Sequence, residues 1–322
     1  MATRFDQPKL WTYDAFDTML RSSEPLPELA PLVRRAARRP VLRVTFGAVA
    51  PKGPIEWAER HRIGGRLWLS CGRTGKDFLV RIHGVCDYVV AEDGATVDAL
   101  GRASSATRHA LLDHVVPIAL SLRGADSFHA SSVTLDGRVV LFCAPSGTGK
   151  STLAASFLAD GGTSVSDDCT IVSMRRGTFV ARAGYPGVRL CRPALAWLAR
   201  RKALGWADDY VSAPSGTKRR FTPRALRGGP VGALPLAGVF LLRRERDRVP
   251  RAERGGAGLA IRLFRHAFRL VAAPSALVLR QMDLCARIVD TVPTHDLVLP
   301  EGLEHLASVR DHVRAVVGDA RG

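Results

Sequence analysis

Paired cysteines are missing from this chain. Its six cysteines stand at 71, 86, 143, 169, 191 and 285 with no CxxC spacing, which excludes a disulfide framework and a zinc ribbon or finger. The nine histidines form no HExxH pair or comparable ligand cluster. No apolar run approaches the roughly 18 residues of a membrane helix; the best, Ala233 to Leu242, has the length of a core strand. Met1 to Asp6 carries no apolar stretch of the secretory type, so the expected location is the cytoplasm, with no membrane partner. Lysine is scarce as well. It occurs six times within 47 basic residues, so the formal charge of +17 is almost all arginine. An arginine- and alanine-rich, lysine-poor composition reflects GC-rich coding. With no helix-turn-helix, zinc finger or aromatic RNA signature beside it, it argues against a nucleic-acid partner. Such a charge suits an acidic peptide or a polyphosphate.

What is present is ample core material, 46% apolar over 322 residues, enough for one large or two ordinary domains. Residues 1–100 read as strand-rich. Short apolar stretches at Val41–Phe46, Leu67–Ser70, Phe78–Ile82 and Tyr88–Ala91 are separated by Gly, Arg and Asp turns. This region is expected to dock a substrate, pack, or form a dimer contact. Residues 101–322 form the second unit. Ala106 to Leu122 has helical spacing, with Leu111, Leu112, Val115, Ile118, Ala119 and Leu122 on one face. Ser131–Leu135 and Arg138–Phe142 flank Asp136-Gly137, a strong hairpin signal. A helix over Thr152–Ala159, a strand at Thr163–Ser166, and a second hairpin of Cys169–Ser173 with Thr178–Ala183 follow. Beyond them come a helix near 193–203, a mobile loop over Ser212–Arg227, a strand at Gly238–Leu242 and a helical C-terminal third. The fold class is α/β (α+β), a mixed sheet with helices.

The chemistry concentrates in Ala144-Pro-Ser-Gly-Thr-Gly-Lys-Ser151. It matches the second half of G-x-x-x-x-G-K-[ST], the P-loop or Walker A pattern, with Ala144 where the first glycine would stand. Alanine serves there if its φ is negative. Gly147 and Gly149 let backbone N–H groups turn toward an anion. Ser146, Thr148 and Thr152 complete the predicted nucleotide-binding set. Lys150 is expected on the β/γ-phosphates of ATP and Ser151 on Mg²⁺, and the following helix offers unpaired N–H groups to the same anion. Asp167-Asp168 lies seventeen residues after Lys150. Two adjacent carboxylates at a strand end can divide the work, one holding Mg²⁺ and one taking a proton from an attacking hydroxyl. His129 precedes the hairpin.

Phe128-His129-Ala-Ser-Ser-Val, the phosphate loop and Val165-Ser-Asp-Asp168 together resemble the catalytic domain of HPr kinase/phosphorylase, whose fold is related to phosphoenolpyruvate carboxykinase. The resemblance spans about residues 125–190. It implies a kinase in which Asp167 is the base, Asp168 a metal or substrate contact, and His129 an orienting partner of the carboxylates. The family's glycine-rich C-terminal signature is not found. The chain looks more like the HPr-kinase-like proteins of ribosomally made peptides, especially lasso-peptide clusters, as does Tyr185-Pro-Gly-Val-Arg-Leu190. That group implies phosphorylation of a serine hydroxyl on a precursor peptide, typically at the precursor's C-terminus, and a homo-oligomer is compatible with it. Lys218, Arg219 and Arg220 are the candidate contacts to phosphate or a peptide carboxylate, with Arg189 and Arg243 behind them. A kinase of a small molecule such as free serine, and a nucleotide-binding regulator without catalysis, stay open as alternatives.

Overall fold

The computed structural model describes residues 10–32, 40–185, 187–200, 208–213, 216–221, 232–245, 249–254, 258–270 and 274–319. The strand-rich N-terminal region is one eight-stranded sheet. Its strands are β1 (Trp11–Ala15), β2 (Thr18–Ser22), β3 (Val41–Phe46), β4 (Glu56–Ile63), β5 (Arg66–Thr74), β6 (Asp77–Ile82), β7 (Cys86–Val90) and β8 (Thr96–Ala99). They lie in the order β1-β2-β3-β8-β7-β6-β5-β4, so β4 forms an edge. The predicted helix follows as α1 (Ser105–Ala110), a π turn (Leu111–Val115) and α2 (Val116–Leu122). Ser104 caps its start, accepting from the Thr107 N–H. Leu111, Leu112, Val115, Val116 and Ala119 share a core with Leu20, Val80, Tyr88 and Val97 of the sheet. That core also takes in Cys169, Ile171 and Tyr185, so apolar packing runs across the boundary expected at residue 100.

Among the described residues the second sheet has nine strands. The first six are β9 (Asp126–Phe128), β10 (Ala130–Leu135), β11 (Arg138–Cys143), β12 (Thr163–Ser166), β13 (Thr170–Arg175) and β14 (Thr178–Ala183). The α3 helix (Lys150–Leu158) lies between β11 and β12. Next come β15 (Val188–Cys191), α4 (Arg192–Ala199), β16 (Asp208–Ala213) and β17 (Gly216–Phe221), the three strands forming a small sheet ordered β15-β17-β16. The chain closes with β18 (Leu234–Arg244), β19 (Arg251–Arg254), α5 (Leu259–Phe264), α6 (Ser275–Thr291), β20 (Thr294–Leu299) and α7 (Leu306–Asp319). Its strands β18, β19 and β20 complete the second sheet. Both predicted hairpins form. The turns Asp136-Gly137 and Arg176-Gly177 have positive φ at both residues, the twist that fits a two-residue hairpin.

The strand feeding the phosphate loop, β11, pairs antiparallel with β10 and parallel with β18. The sheet is therefore mixed at the site, and the hairpin seen in the sequence is only half of the strand's surroundings. Residues Leu236 to Leu242 of β18 are buried without a break, as a strand covered on both faces requires. Phe142 stacks on Phe157 at 5.7 Å and meets Phe240 at a tilt at 6.0 Å between ring centres, which holds α3 on the sheet. One expectation is corrected. The stretch expected as a loop from Ser212 contains β17 and the end of β16, because β17 finds a partner on each side in β15 and β16. Residues 222–227 of that expected loop lie outside the described residues.

Candidate active site

The phosphate loop leaves the buried end of β11 and enters α3 through Gly149, whose φ is 116°. Gly147 has a φ of 87°. Both are in the left-handed region that L side chains avoid. A Cβ on Gly149 would also lie 3.3 Å from Nη2 of Arg244. Among the described residues the non-glycines with positive φ are Phe16, Asp17, Asp136, Asp168 and Arg176, so Ala144 meets the condition for replacing glycine. Lys150 is 5% exposed, and its Nζ donates to the carbonyls of Ala144 at 2.7 Å and Pro145 at 3.3 Å. The ammonium is held under the loop by oxygens that a phosphate can replace. Burial pushes its pKa down, against the attraction of Asp168 and Asp167.

The two carboxylates face different partners. In a continuing strand consecutive side chains point to opposite faces. Asp168 leaves that pattern with a φ of 65°, a cost that structures retain at functional positions. Asp167 is buried and accepts three bonds: from the Ser131 hydroxyl, the Ser151 hydroxyl at 2.9 Å and the Arg189 N–H at 2.8 Å. Burial and the neighbouring Asp168 push its carboxyl up, against Arg189. Asp168 lies 3.5 Å from Nε2 of His129 and pairs with Nη2 of Arg189. Burial would raise its pKa, but Arg189, His129 and Lys150 together hold it below the usual carboxylate range. His129 is pushed down to about 3 by burial and by Lys150, and His266 to about 4 by the same two causes. Both rings are neutral at neutral pH.

Arg189 turns out to be the hinge of this network. It is 8% exposed and spans from Asp168 to Asp113, while the Tyr185 hydroxyl also donates to Asp113. Asp113 reaches the site from the π turn, where one extra residue per turn shifts the helix face. The sequence signal for it was a carboxylate among the buried Leu111, Leu112 and Val115; the π turn itself leaves no sequence signature. Lys218, on β17, lines the same cavity as Asp168 and Arg189. Arg219 and Arg220 pair through their backbones with Leu190 and Arg189, and their side chains lie outside the described set. Arg243 is not brought to the site, since it pairs with Glu245 and Glu253. Its neighbour Arg244 instead donates from Nε to the Thr148 carbonyl at 2.8 Å.

Two recesses flank the loop. One holds about 300 Å³ and is walled by Ser146, His129, Asp168, Arg189 and Lys218 on one side and by the N-terminal sheet on the other. The second, of about 20 Å³, lies at Gly149, Thr152, Arg244 and Pro300. The donors present fit a magnesium–triphosphate group. A serine hydroxyl and a carboxylate oxygen 2.9 Å apart are hard oxygen ligands, beside a buried ammonium and the amides of a helix N-terminus.

No family model and no curated protein matches the chain. Among solved structures it is similar to the Hpr(Ser) kinase/phosphatase from Coxiella burnetii, at 14% identity over 61% of this chain and 93% of that one, with a TM-score of 0.31. An overlap this loose carries no argument about what the chain does. The protein is a mixed α/β structure with a glycine-rich loop and a buried lysine–carboxylate cluster at one end of its second sheet.

Proposed function

We propose that this chain is an ATP- and Mg²⁺-dependent serine kinase acting on a peptide or protein hydroxyl. The observation that carries the reading is the convergence of Lys150, Ser151 and Asp167 at the mouth of the loop, with Asp168 turned to the adjoining cavity. Ser151 and Asp167 are the pair to hold the metal. When bound, magnesium neutralises charge on the phosphate oxygens. Lys150 exchanges the Ala144 and Pro145 carbonyls for phosphate oxygens, and the loop amides hold the same anion. The acceptor hydroxyl meets Asp168, which orients it and takes its proton as the hydroxyl oxygen gains the phosphoryl group and ADP departs. A loose transition state asks for little basicity, so the low pKa of Asp168 is compatible with that role. This reading exchanges the roles expected from the sequence, where Asp167 was the base and Asp168 a metal or substrate contact. Asp167 has its oxygens committed to Ser131, Ser151 and Arg189, and it does not line the cavity. The finer assignment, to the serine of a ribosomally made precursor such as a lasso peptide, rests on the sequence resemblance alone.

The test is a pair of isosteric variants assayed with ATP, Mg²⁺ and serine peptides by mass. Asp168→Asn is expected to lower transfer by about 10²–10⁴-fold with ATP binding retained. Asp167→Asn is expected to raise the Mg²⁺ concentration needed for half-maximal transfer. Unchanged transfer in Asp168→Asn removes it as the base. ATP binding without transfer to any acceptor favours the non-catalytic regulator. Transfer to free serine and to no peptide favours the small-molecule kinase.

A further inference from the structure

The cavity that receives Asp168 is closed on its far side by the N-terminal sheet, through Glu59, His61 and Ile63 of β4 and through Trp68, Leu69 and Cys71 of β5. The three β4 residues alternate in sequence, as residues sharing one face of a strand do. Among the described residues β4 has a single strand neighbour, β5, and its Glu59, His61 and Ile63 line the same cavity as Asp168. It is eight residues long, without proline, and largely exposed, and its register on β5 breaks between Trp57 and Glu59 and between His61 and Arg62. The evenly paired stretch between those breaks, Glu59 to His61, is the part that can template a further strand.

From this we infer that the acceptor is an extended acidic peptide that adds along the outer side of β4 and so carries its serine to Asp168. The inference rests on the kinase reading and names its substrate class. Two features of the cavity define the peptide. With Arg189 committed to Asp168 and Asp113, the cavity's remaining cations, Lys218, Arg265 and Arg269, outnumber its remaining carboxylate, Glu59, and the whole chain carries +17; an acidic segment complements both. Its floor is apolar: Trp68, packed edge-on to His114 at 4.7 Å, with Ile118, Leu69 and Phe268. On an added strand, residues two apart face the same way. The serine therefore shares the cavity with the side chain two positions away, and that residue is aliphatic. A volume of about 300 Å³ reaches the lower bound of ligand pockets, roughly 300–1,000 Å³, and exceeds what a free serine fills.

The experiment uses the full chain, MgATP, and acetylated acidic heptapeptides with a central serine and either Leu or Gly two positions away, with free serine as a second acceptor. Phosphate gain is followed by mass. Hydrogen exchange of the β4 amides is followed with a non-hydrolysable ATP analogue and each peptide. The expected result is a kcat/KM on the order of tenfold or more higher for the Leu peptide, with slowed exchange confined to β4 and its neighbours. Trp68→Ala is expected to erase that preference while keeping the wild-type thermal shift with MgATP, which shows the variant to be folded. Phosphorylated peptides with β4 exchange unchanged, equal rates for the Leu and Gly peptides, or free serine matching the Leu peptide would each overturn the strand docking and leave the kinase reading intact. MgATP binding with no phosphate on any acceptor would end both.

Discussion

Replacing Lys150 by methionine keeps the length and the apolar stem of the side chain and removes its charge. In the wild type the ammonium bonds to two loop carbonyls, and on phosphate it makes a charge-assisted bond worth about 1.5–3 kcal/mol. Losing that bond weakens ATP by roughly 10–150-fold. At an ATP concentration 100 times the wild-type Kd, ligand stabilises the fold by about 2.7 kcal/mol. At the same concentration the variant retains about 0.3–1.4 kcal/mol by the same relation. With roughly 2–4 °C per kcal/mol, the range for chains of about 150–250 residues, a wild-type upshift of about 5–10 °C drops by about half or more. Without nucleotide the variant is expected to melt near the wild type. The lysine is 5% exposed and carries its charge against a burial penalty that its attraction to Asp168 and Asp167 offsets. The assay is thermal melting with and without MgATP. A wild-type shift in Lys150→Met would refute the phosphate role of the loop, and a collapse of the apo melting temperature would make the lysine structural.

Three further outcomes are expected. Stability should fall as the pH drops from about 6.5 toward 4. His266 titrates at about 4 in the fold and His129 at about 3, while in the unfolded chain both take a proton near the ordinary histidine value. For these two rings the unfolded state binds more protons across that window, at about 1.4 kcal/mol per pH unit for each ring still neutral in the fold, while the raised carboxyls of Asp167 and Asp126 act in the opposite direction. Chemical denaturation between pH 7 and 4.5 measures it, and a flat profile would contradict the neutral rings. Asp113→Ala leaves a buried Arg189 with one carboxylate fewer, a loss of about 3–5 kcal/mol by urea titration; a loss below about 1 kcal/mol would mean that Arg189 does not depend on it. Gly149→Val places a β-branched residue at a φ of 116° and next to Arg244. About 1–3 kcal/mol of strain and a loss of ATP affinity are expected, read by melting and by nucleotide binding.

Much of the local structure was legible because it rests on short-range rules. Asp136-Gly137 determines a hairpin wherever two β-rich runs flank it, and the alternation of Gly147, Gly149 and Lys150 before an apolar run determines a loop opening a helix. The Thr163–Ser166 strand was read with its observed bounds for the same reason. The loop expected from Ser212 failed because Gly, Arg and Lys there are turn-prone alone, and only β15 and β16 on either side make Gly216–Phe221 a strand. Arg243 and Arg244 could not be told apart in sequence. Neighbours on a strand face opposite ways, and the register of β18 on β11 decides which one meets Thr148.

By itself the sequence determined the chemistry available: a phosphate-shaped loop, a lysine where lysine is rare, and two adjacent acids. Only the tertiary structure decided which acid faces the serine and which faces the cavity, that Arg189 and Asp113 join them, and that the N-terminal sheet walls the site. Those facts depend on a left-handed turn at Asp168, a π turn under Asp113 and the packing of one sheet over another. Each is set by contacts between residues far apart in the chain, which local pattern does not encode.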